Sequence, residues 1–331
     1  MAILITFPDR SITGGDGTRF SLPAMPAALS YSPLPPSGAW SYRNVSSPRE
    51  DSTAPAESLA CEARRPLVDA THPSSARVYD YLLGGKDNFA TDRSAANKIE
   101  EAFPAIRTGA QENRRFLLRG VRYLAAEAGI RQFLDIGTGI PTSPNVHEAA
   151  QGITPEARIA YVDNDPIVLA HARALMVSDP RGNVGYLDAD IRAPEAIVGS
   201  DLVRKVLDFD EPIALILSAI LHFIPDEERP AEIVRTFVEA LPPGSYVLAS
   251  HVTPEHEPRL RPASAGYRDD GVRTRPRTAA EFERLVFAGR GLELVPPGVV
   301  LVSRWRRDPD EPPAPSPAEV SAYGGLAKLA G

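Results

Sequence analysis

Between residues 132 and 305, short apolar runs alternate with longer stretches in which apolar residues recur every three or four positions. The short runs are typical of buried strands, and the longer stretches are typical of amphipathic helices. Their alternation predicts an α/β fold with a doubly wound, mostly parallel sheet of seven strands, the last two forming an antiparallel edge. The predicted strands are 132–136, 159–163, 184–187, 212–219, 245–251, 292–295 and 299–305.

Capping residues and glycine stops predict three helices before the first strand. A serine pair at 74–75 can cap a helix that the glycine pair at 84–85 ends, and Thr91-Asp92 can cap a second helix. A third helix is predicted from Ile106 to Ala128, so that residues 71–130 form an N-terminal helical cap. Further helices are predicted at 143–151, 166–177, 194–206, 226–241 and 278–288.

The two ends of the chain lack a sustained period. Residues 1–70 are rich in Pro, Ser and Ala and cannot offset chain entropy by burial, so we expect them to be disordered. A Pro-rich recognition tail and an upstream start codon are the alternatives for this segment. The Pro-rich composition of residues 308–331 predicts a mobile C-terminal tail, in which residues 323–328 could dock locally. Residues 131–307 remain as the main domain.

Composition limits the class of protein. The chain has 331 residues, a hydrophobic content of 43% and a net charge of −7, which leaves no electrostatic footprint for nucleic acid. The single cysteine, Cys61, can form neither an internal disulfide nor a thiolate metal cluster, which fits a reducing cytoplasm. No stretch approaches the ~18 apolar residues of a spanning helix. The apolar start at 1–7 is too short for an export signal, so we expect a cytoplasmic protein without a membrane partner.

Polar residues follow four successive predicted strands. Asp135, Gly137 and Gly139 follow the first strand, and Asp163 stands 24 residues beyond Gly139. In an open α/β sheet, ligands bind beyond the carboxyl ends of the strands, where an acid after the second strand can hold a ribose diol. The remaining members of this set are Asn164 and Asp165 after the second strand, Asp188 and Asp190 after the third, and Ser218 and His222 after the fourth.

The glycine spacing separates two classes of nucleotide ligand. A dinucleotide fingerprint needs a third glycine where this chain has Thr142, and no phosphate-binding G-K-[ST] motif is present. Carboxylates at Asp135 and Asp163 would repel a pyrophosphate but would favour a cationic sulfonium. A dinucleotide oxidoreductase therefore remains only as a disfavoured alternative.

The Asp135-x-Gly137-x-Gly139 motif, with Asp163 and Asp190 after the next strands, resembles the class I S-adenosylmethionine-dependent methyltransferases. Their fold is Rossmann-like. Longer stretches resemble one actinobacterial group, the S-adenosyl methyltransferase family once classed as a domain of unknown function. The resemblance covers Pro73 to Arg306, and Pro141 departs from the third glycine of many methyltransferases. The matching stretches are 73–88, 133–141, 145–148, 161–166 and 221–226.

The resemblance implies S-adenosyl-L-methionine as the cofactor and residues 131–307 as the domain that binds it. Gly137, Thr138 and Gly139 would pass beside the methionine part, and Asp135 would hold its amino group. The other implied cofactor contacts are Asp163 on the ribose hydroxyls, Asn164 beside the adenine, Asp190 on the adenine amine, Ile191 on the adenine ring, and Ser218 after the fourth strand.

The same resemblance implies a lid over the cofactor. Lys86 and Asn88, with Tyr81 before them, would cover it from one side, while Asn113 and Arg114 on the third helix would close the other. Lys86 also has a plain structural interpretation as a solvated charge, and Tyr81 as a core aromatic.

Two histidines follow predicted strands and are candidates for acceptor chemistry. A neutral imidazole at His222 could remove a proton from an acceptor hydroxyl or amine, although a structural hydrogen-bonding role is equally compatible with its place. His251 ends the next strand and carries the same ambiguity. No residues have metal-ligand spacing, so no metal is predicted.

The predicted function is methyl transfer from S-adenosylmethionine to an unidentified, small-molecule acceptor. The alternative is a non-catalytic protein that binds S-adenosylmethionine or S-adenosylhomocysteine as a sensor or partner subunit. A polar pocket beside Ser218, His222 and His251 would favour the enzyme, and a sealed apolar one would favour the sensor. Six arginines between 253 and 277 fit either an acidic acceptor or a solvated loop.

Overall fold

The computed structural model describes residues 69–175, 178–260 and 274–331. The predicted disorder of residues 1–70 therefore lies almost wholly outside the described residues. The described chain forms an eight-stranded sheet in the order β3-β2-β1-β4-β5-β8-β6, with β7 paired to β8. The strands are β1 Gln132–Ile136, β2 Arg158–Asp163, β3 Asn183–Asp188, β4 Ala214–Leu217, β5 Tyr246–Val252, β6 Leu292–Leu294, β7 Val300–Leu301 and β8 Ala322–Leu329.

Helices occupy most of the predicted positions, although the predicted helix over 194–206 is two short helices. Two 3₁₀ turns, Leu221–Phe223 and Asp226–Glu228, follow β4. The helices are α1 Ser75–Leu82, α2 Ala90–Ala102, α3 Ile106–Ala126, α4 Val146–Gln151, α5 Pro166–Leu175, α6 Pro194–Val198, α7 Asp201–Val206, α8 Pro230–Ala240, α9 Ala279–Val286 and α10 Pro317–Val320.

The five strands β1 to β5 run parallel, and hydrophobic clusters cover both faces of the sheet. Every residue of β1 is buried. Leu134 and Ile136 pack into the cluster on one face, and Phe133 packs into the cluster on the other. This arrangement confirms the predicted α/β class and the doubly wound, mostly parallel sheet. It also brings the carboxyl ends of five strands to one edge, beneath α1 and α3.

The C-terminal segment corrects the predicted tail and the predicted antiparallel edge, because it adds an eighth strand to the sheet and both β6 and β7 pair with that strand. Residues 322–329 do not form a mobile tail but strand β8, which lies antiparallel to β5 and β6 in the interior of the sheet. Gly324 permits this placement, because a Cβ there would stand 2.6 Å from the Phe116 ring. Pattern analysis missed this strand for two reasons. The residues before β8 are Pro-rich, and β8 itself contains the Gly324-Gly325 pair, which is unusual inside a strand.

The helix α3 joins the helical segments to the sheet. Its Gly120 packs so closely on Leu248 of β5 that an added Cβ would come within 2.6 Å of a leucine methyl group. Arg119 donates to the carbonyls of Val302 and Trp305 at 2.7 and 3.0 Å. These contacts fix α3 against β5 and the loop after β7, and its residues between 109 and 117 border the cavity. No helix in the described ranges is both long enough and apolar enough to span a bilayer.

Candidate active site

A cavity of about 740 Å³ lies at the carboxyl ends of the parallel strands, beneath α1 and α3. Its two sides are named here by their strands. The β1–β3 side is lined by 135–139, 163–167 and 189–192, and the β4–β5 side by 218–220, 222–224 and 250–252. The cavity brings together thirteen of the residues predicted from sequence: Asn113, Arg114, Asp135, Gly137, Thr138, Gly139, Asp163, Asn164, Asp190, Ile191, Ser218, His222 and His251.

The turn after β1 exposes backbone to this cavity. Gly137 and Gly139 have φ values of 71° and 68°, which few other residues adopt without strain. A Cβ added to Gly139 would meet no atom within 4 Å, so this residue borders open space. The Gly139 amide donates to Asp163 Oδ2 at 2.9 Å, which ties the turn to the acid after β2.

Asp163 lies at the centre of the β1–β3 side. Its second oxygen, Oδ1, accepts from the Asp165 amide at 2.9 Å, so both carboxylate oxygens are oriented by backbone. Burial raises the pKa of Asp163 to about 6, although the two backbone amides oppose the shift. Each oxygen keeps one acceptor site for a ligand hydroxyl.

The loop after β3 supplies a polar and an apolar group. Asn164 Nδ2 donates to Asp190 Oδ2 at 3.0 Å, and Arg192 Nη1 lies 3.2 Å from Asp190 Oδ1. The side chain of Ile191 is buried between them and the core, where it borders the cavity. This set can hold a flat heterocycle that carries a hydrogen-bond donor.

Asp135 is the most deeply buried acid of the site, with 4% of its surface exposed. Burial raises its pKa to about 7, while the Thr138 hydroxyl, which donates at 3.1 Å, and the Arg114 charge oppose the shift. Because burial disfavours the charged form of Asp135, a cationic ligand group beside it would stabilise the carboxylate strongly.

The raised pKa of Asp135 predicts a pH-dependent stability of the ligand-free protein. Its folded-state pKa lies above the unfolded value, so its stabilising contribution is complete at low pH and is lost as pH rises from about 4 to about 7. Chemical unfolding from pH 5 to 8 should show Asp135→Asn gaining stability relative to the native chain, by at most about 1.4 kcal/mol per pH unit. A pH-independent difference between the two proteins would contradict the raised pKa.

A polar network lies at the wall of the β4–β5 side, where the helices meet the strand ends. Asn113 Oδ1 accepts from Ser250 Oγ at 2.6 Å, and Asn113 Nδ2 donates to Tyr79 Oη at 3.0 Å. Ser218 Oγ lies 3.3 Å from both Asn113 Nδ2 and Ser250 Oγ. The network links α1, α3, β4 and β5, and it fixes the Ser218 hydroxyl at the cavity wall. Tyr79 and Ser250 carry no local sequence signal, because only the tertiary fold brings them to Asn113.

Arg114 extends from α3 to the loop after β1. Its Nη2 donates to the carbonyls of Thr142 and Pro144. Its Nε is buried and has no hydrogen-bond partner within the described ranges. A cavity-lining guanidinium with a spare buried donor is suited to an anionic ligand group.

His222 and His251 stand side by side on the β4–β5 side, with ring centroids 5.7 Å apart. His251 Nδ1 is 2.8 Å from the Val252 carbonyl, and its Nε2 is 3.1 Å from Arg277 Nη1. These partners assign the ring proton to Nδ1 and leave Nε2 as the acceptor. Arg277 is the partner that sequence patterns missed, because 26 residues separate it from His251.

His222 differs from His251 because one of its ring nitrogens has no hydrogen-bond partner among the described residues. Its Nδ1 is buried and unpaired in the part of the chain that the structure describes. Burial, with a smaller effect from Arg277, lowers its pKa to about 3, so the ring is neutral at physiological pH. The Arg275 amide donates to the His222 carbonyl at 2.7 Å and holds the backbone in place.

Three residues of the predicted lid lie away from the cavity. Tyr81, Lys86 and Asn88 do not line the cavity, and the segment above it is 72–79 instead. The buried carboxylate of Asp80 accounts for the difference, because it accepts from the Asp87 amide at 3.0 Å and from Asn88 Nδ2 at 2.8 Å. The loop is thereby folded back on α1, and Lys86 is left in solvent.

The family model that matches residues 61–330 is described as S-adenosyl methyltransferase. A DUF574 family protein from Streptomyces avermitilis has a similar structure, with 43% identity over 79% of this chain and 99% of that one, and a TM-score of 0.76. A candidate methyltransferase from Thermobifida fusca is 42% identical over 80% of this chain and 98% of that one, with a TM-score of 0.73. No curated protein matches the chain with significance.

Proposed function

Because the chain belongs to the S-adenosyl methyltransferase family, we propose that its cavity holds the cofactor on the β1–β3 side and a small-molecule methyl acceptor on the β4–β5 side. The chain is an S-adenosylmethionine-dependent methyltransferase. The observation that carries the proposal is the continuity of the cavity from Asp163 and Asp190 to His222 and His251.

The adenosyl part of the cofactor fits the polar groups after β2 and β3. Asp163 would accept from the two ribose hydroxyls with the acceptor sites that its backbone bonds leave free. Asp190 would accept from the adenine amine, with Asn164 at the ring edge and Ile191 against the ring face. These two acids follow the neighbouring strands β2 and β3, and this spacing suits the span from ribose to base.

The methionine part fits the loop after β1. The open space at Gly139 admits a ligand chain beside the backbone, and Thr138 lies between the two glycines. Asp135 would hold the amino group, and the unpaired Nε of Arg114 would hold the carboxylate. The opposite charges of these two side chains match the opposite charges of an amino-acid end.

The β4–β5 side would hold the acceptor. When bound, the cofactor supplies an electrophilic methyl group, and its departure leaves a neutral thioether. Ser218 and Asn113 would orient the acceptor, and the roof formed by 72–79 and α3 would exclude water. His222 is neutral and its Nδ1 is unpaired, so it could accept a hydrogen bond from an acceptor hydroxyl or amine and act as the candidate base, although its lowered pKa opposes uptake of the proton.

The non-catalytic alternative requires a sealed apolar pocket beside Ser218, His222 and His251. The cavity reaches all three side chains and has polar groups at its wall, which supports transfer to a bound acceptor. Its position under the helices supports a small molecule over a polymer, because α1 and α3 cover the strand ends.

Transfer of a labelled methyl group tests the proposed function. We expect an actinobacterial cell extract, incubated with the protein and methyl-labelled S-adenosylmethionine, to accumulate label in its small-molecule fraction. The Asp163→Ala variant, which we expect to lose the cofactor, should leave that fraction unlabelled. Label in protein or nucleic acid, or label that the variant transfers equally well, would contradict the proposal.

A further inference from the structure

We infer that the methyl acceptor is an uncharged, largely apolar molecule that presents one hydrogen-bonding group to His222. The inference rests on the proposed function and narrows it to a class of substrate. It depends on how charge and hydrogen-bonding capacity are divided within the cavity.

Charged side chains lie on the β1–β3 side of the cavity. Within the described ranges, every carboxylate and guanidinium that lines it belongs to segment 69–77, to Arg114 or to the loops after β1, β2 and β3. Segment 69–77 lies over this side, because the Ser74 hydroxyl donates to Asp165 and Ala76 packs beside Ile167. The proposed cofactor, with its own ammonium, carboxylate and sulfonium, would use these charges.

By contrast, the β4–β5 side combines neutral polar groups with an apolar wall. Leu82, Ile99 and Ile106 form one cluster with Phe223, which follows β4. Phe103 and Leu260 also border the cavity, and both are buried. No carboxylate or guanidinium of the described residues lines this side, and the Arg277 guanidinium behind His251 is already paired with Asp226. Burying an unpaired carboxylate or ammonium there would cost several kcal/mol, whereas an apolar body would be favoured.

The hydroxyls on this side are largely committed to the protein. Ser250 Oγ donates to Asn113 and accepts from the Ala219 amide at 2.9 Å, and the Ser321 hydroxyl donates to the Ala318 carbonyl at 3.2 Å. His222 is different, because it lines the cavity, is 8% exposed and has an unpaired Nδ1. A buried imidazole without a partner is costly unless a ligand supplies one. One hydroxyl or amine on the acceptor would supply it.

The arginines between 253 and 277 do not favour an acidic acceptor. Arg259 pairs with Glu257 at 2.6 Å, and Arg275 pairs with both Asp226 and Glu281. Arg277 is buried among the carbonyls of residues 221 and 224 and the Asp226 carboxylate. The other three arginines of this stretch lie outside the described residues.

Three matched probes test the inference on the full chain loaded with S-adenosylhomocysteine. These are 2-naphthol, which is neutral with one hydroxyl, its isostere 2-methylnaphthalene, and anionic 2-naphthoate. We expect 2-naphthol to bind at least about tenfold more tightly than 2-naphthoate. His222→Phe should weaken 2-naphthol about tenfold and leave 2-methylnaphthalene nearly unchanged, since only the hydroxyl pairs with the imidazole.

The same substitution at His256 is the control, because His256 bonds to Tyr323 at 2.8 Å outside the cavity lining. His256→Phe should leave all three affinities as they are. Binding of S-adenosylhomocysteine is measured first in each protein, so failure of the proposed function shows as loss of that binding in the native chain. Three results would overturn the inference in a protein that binds S-adenosylhomocysteine. In the first, 2-naphthoate binds as tightly as 2-naphthol, and in the second, neither of these two probes binds. In the third, His222→Phe weakens 2-naphthol and 2-methylnaphthalene equally.

Discussion

Asp163→Ala is expected to weaken binding of S-adenosylmethionine by at least about 100-fold, which corresponds to about 3 kcal/mol. The carboxylate is proposed to accept from both ribose hydroxyls, and hydrogen bonds to a charged acceptor contribute about 1.5–3 kcal/mol each. The alanine also leaves the Gly139 amide without its acceptor and loosens the turn beside the methionine part. Calorimetric titration at pH 8, where the raised pKa of Asp163 still leaves it ionised, measures the loss.

Two further variants separate the ribose contact from a general effect on the fold. Asp188 is the register partner of Asp163 on β3, but it is exposed and does not line the cavity. Asp188→Ala should therefore bind the cofactor as the native chain does. Asp163→Asn keeps one acceptor oxygen and should give an intermediate affinity. Native affinity in Asp163→Ala, with thermal unfolding unchanged, would show that the ribose lies elsewhere.

The β1–β3 side of the site was predictable because its chemistry is local in sequence. Asp135, Gly137 and Gly139 lie within five residues of one another. Parallel strands bring Asp163 and Asp190 to the same edge of the sheet, and this does not depend on the conformation of the loops between the strands. Strand periodicity alone therefore fixed which side chains would meet. Their specific roles toward the cofactor are proposals, and the Asp163 variants test the contact with the ribose.

The β4–β5 side was not predictable in the same way. Ser250 and Arg277 reach Asn113 and His251 across 137 and 26 residues, and no motif marks such pairs. The direction of the 84–88 loop depends on whether Asp80 is buried, which only packing decides. The family resemblance placed this loop over the cofactor, but it could not show that the loop packs on α1 instead.

Strand β8 gives the second large effect, because it lies between two strands of the sheet. Deletion of residues 321–331 would leave β5 and β6 without their common partner. It would also remove the fully buried Leu326, and loss of a buried leucine side chain alone costs about 2–5 kcal/mol. Since domains are typically stable by about 5–15 kcal/mol, we expect the shortened chain to lose cooperative thermal unfolding and to aggregate.

A graded series shows whether the strand or merely the chain end matters. Removing only Ala330 and Gly331, which are exposed beyond β8, should leave the unfolding temperature close to native. Leu326→Ala should fold but unfold at a lower temperature, since it creates a cavity without breaking the pairing with β5. Cooperative unfolding of the 321–331 deletion at the native temperature would instead mean that the sheet is complete without this segment, as expected for the mobile tail that the sequence pattern predicted. The buried pairing of Leu326 with Leu248 predicts the opposite result.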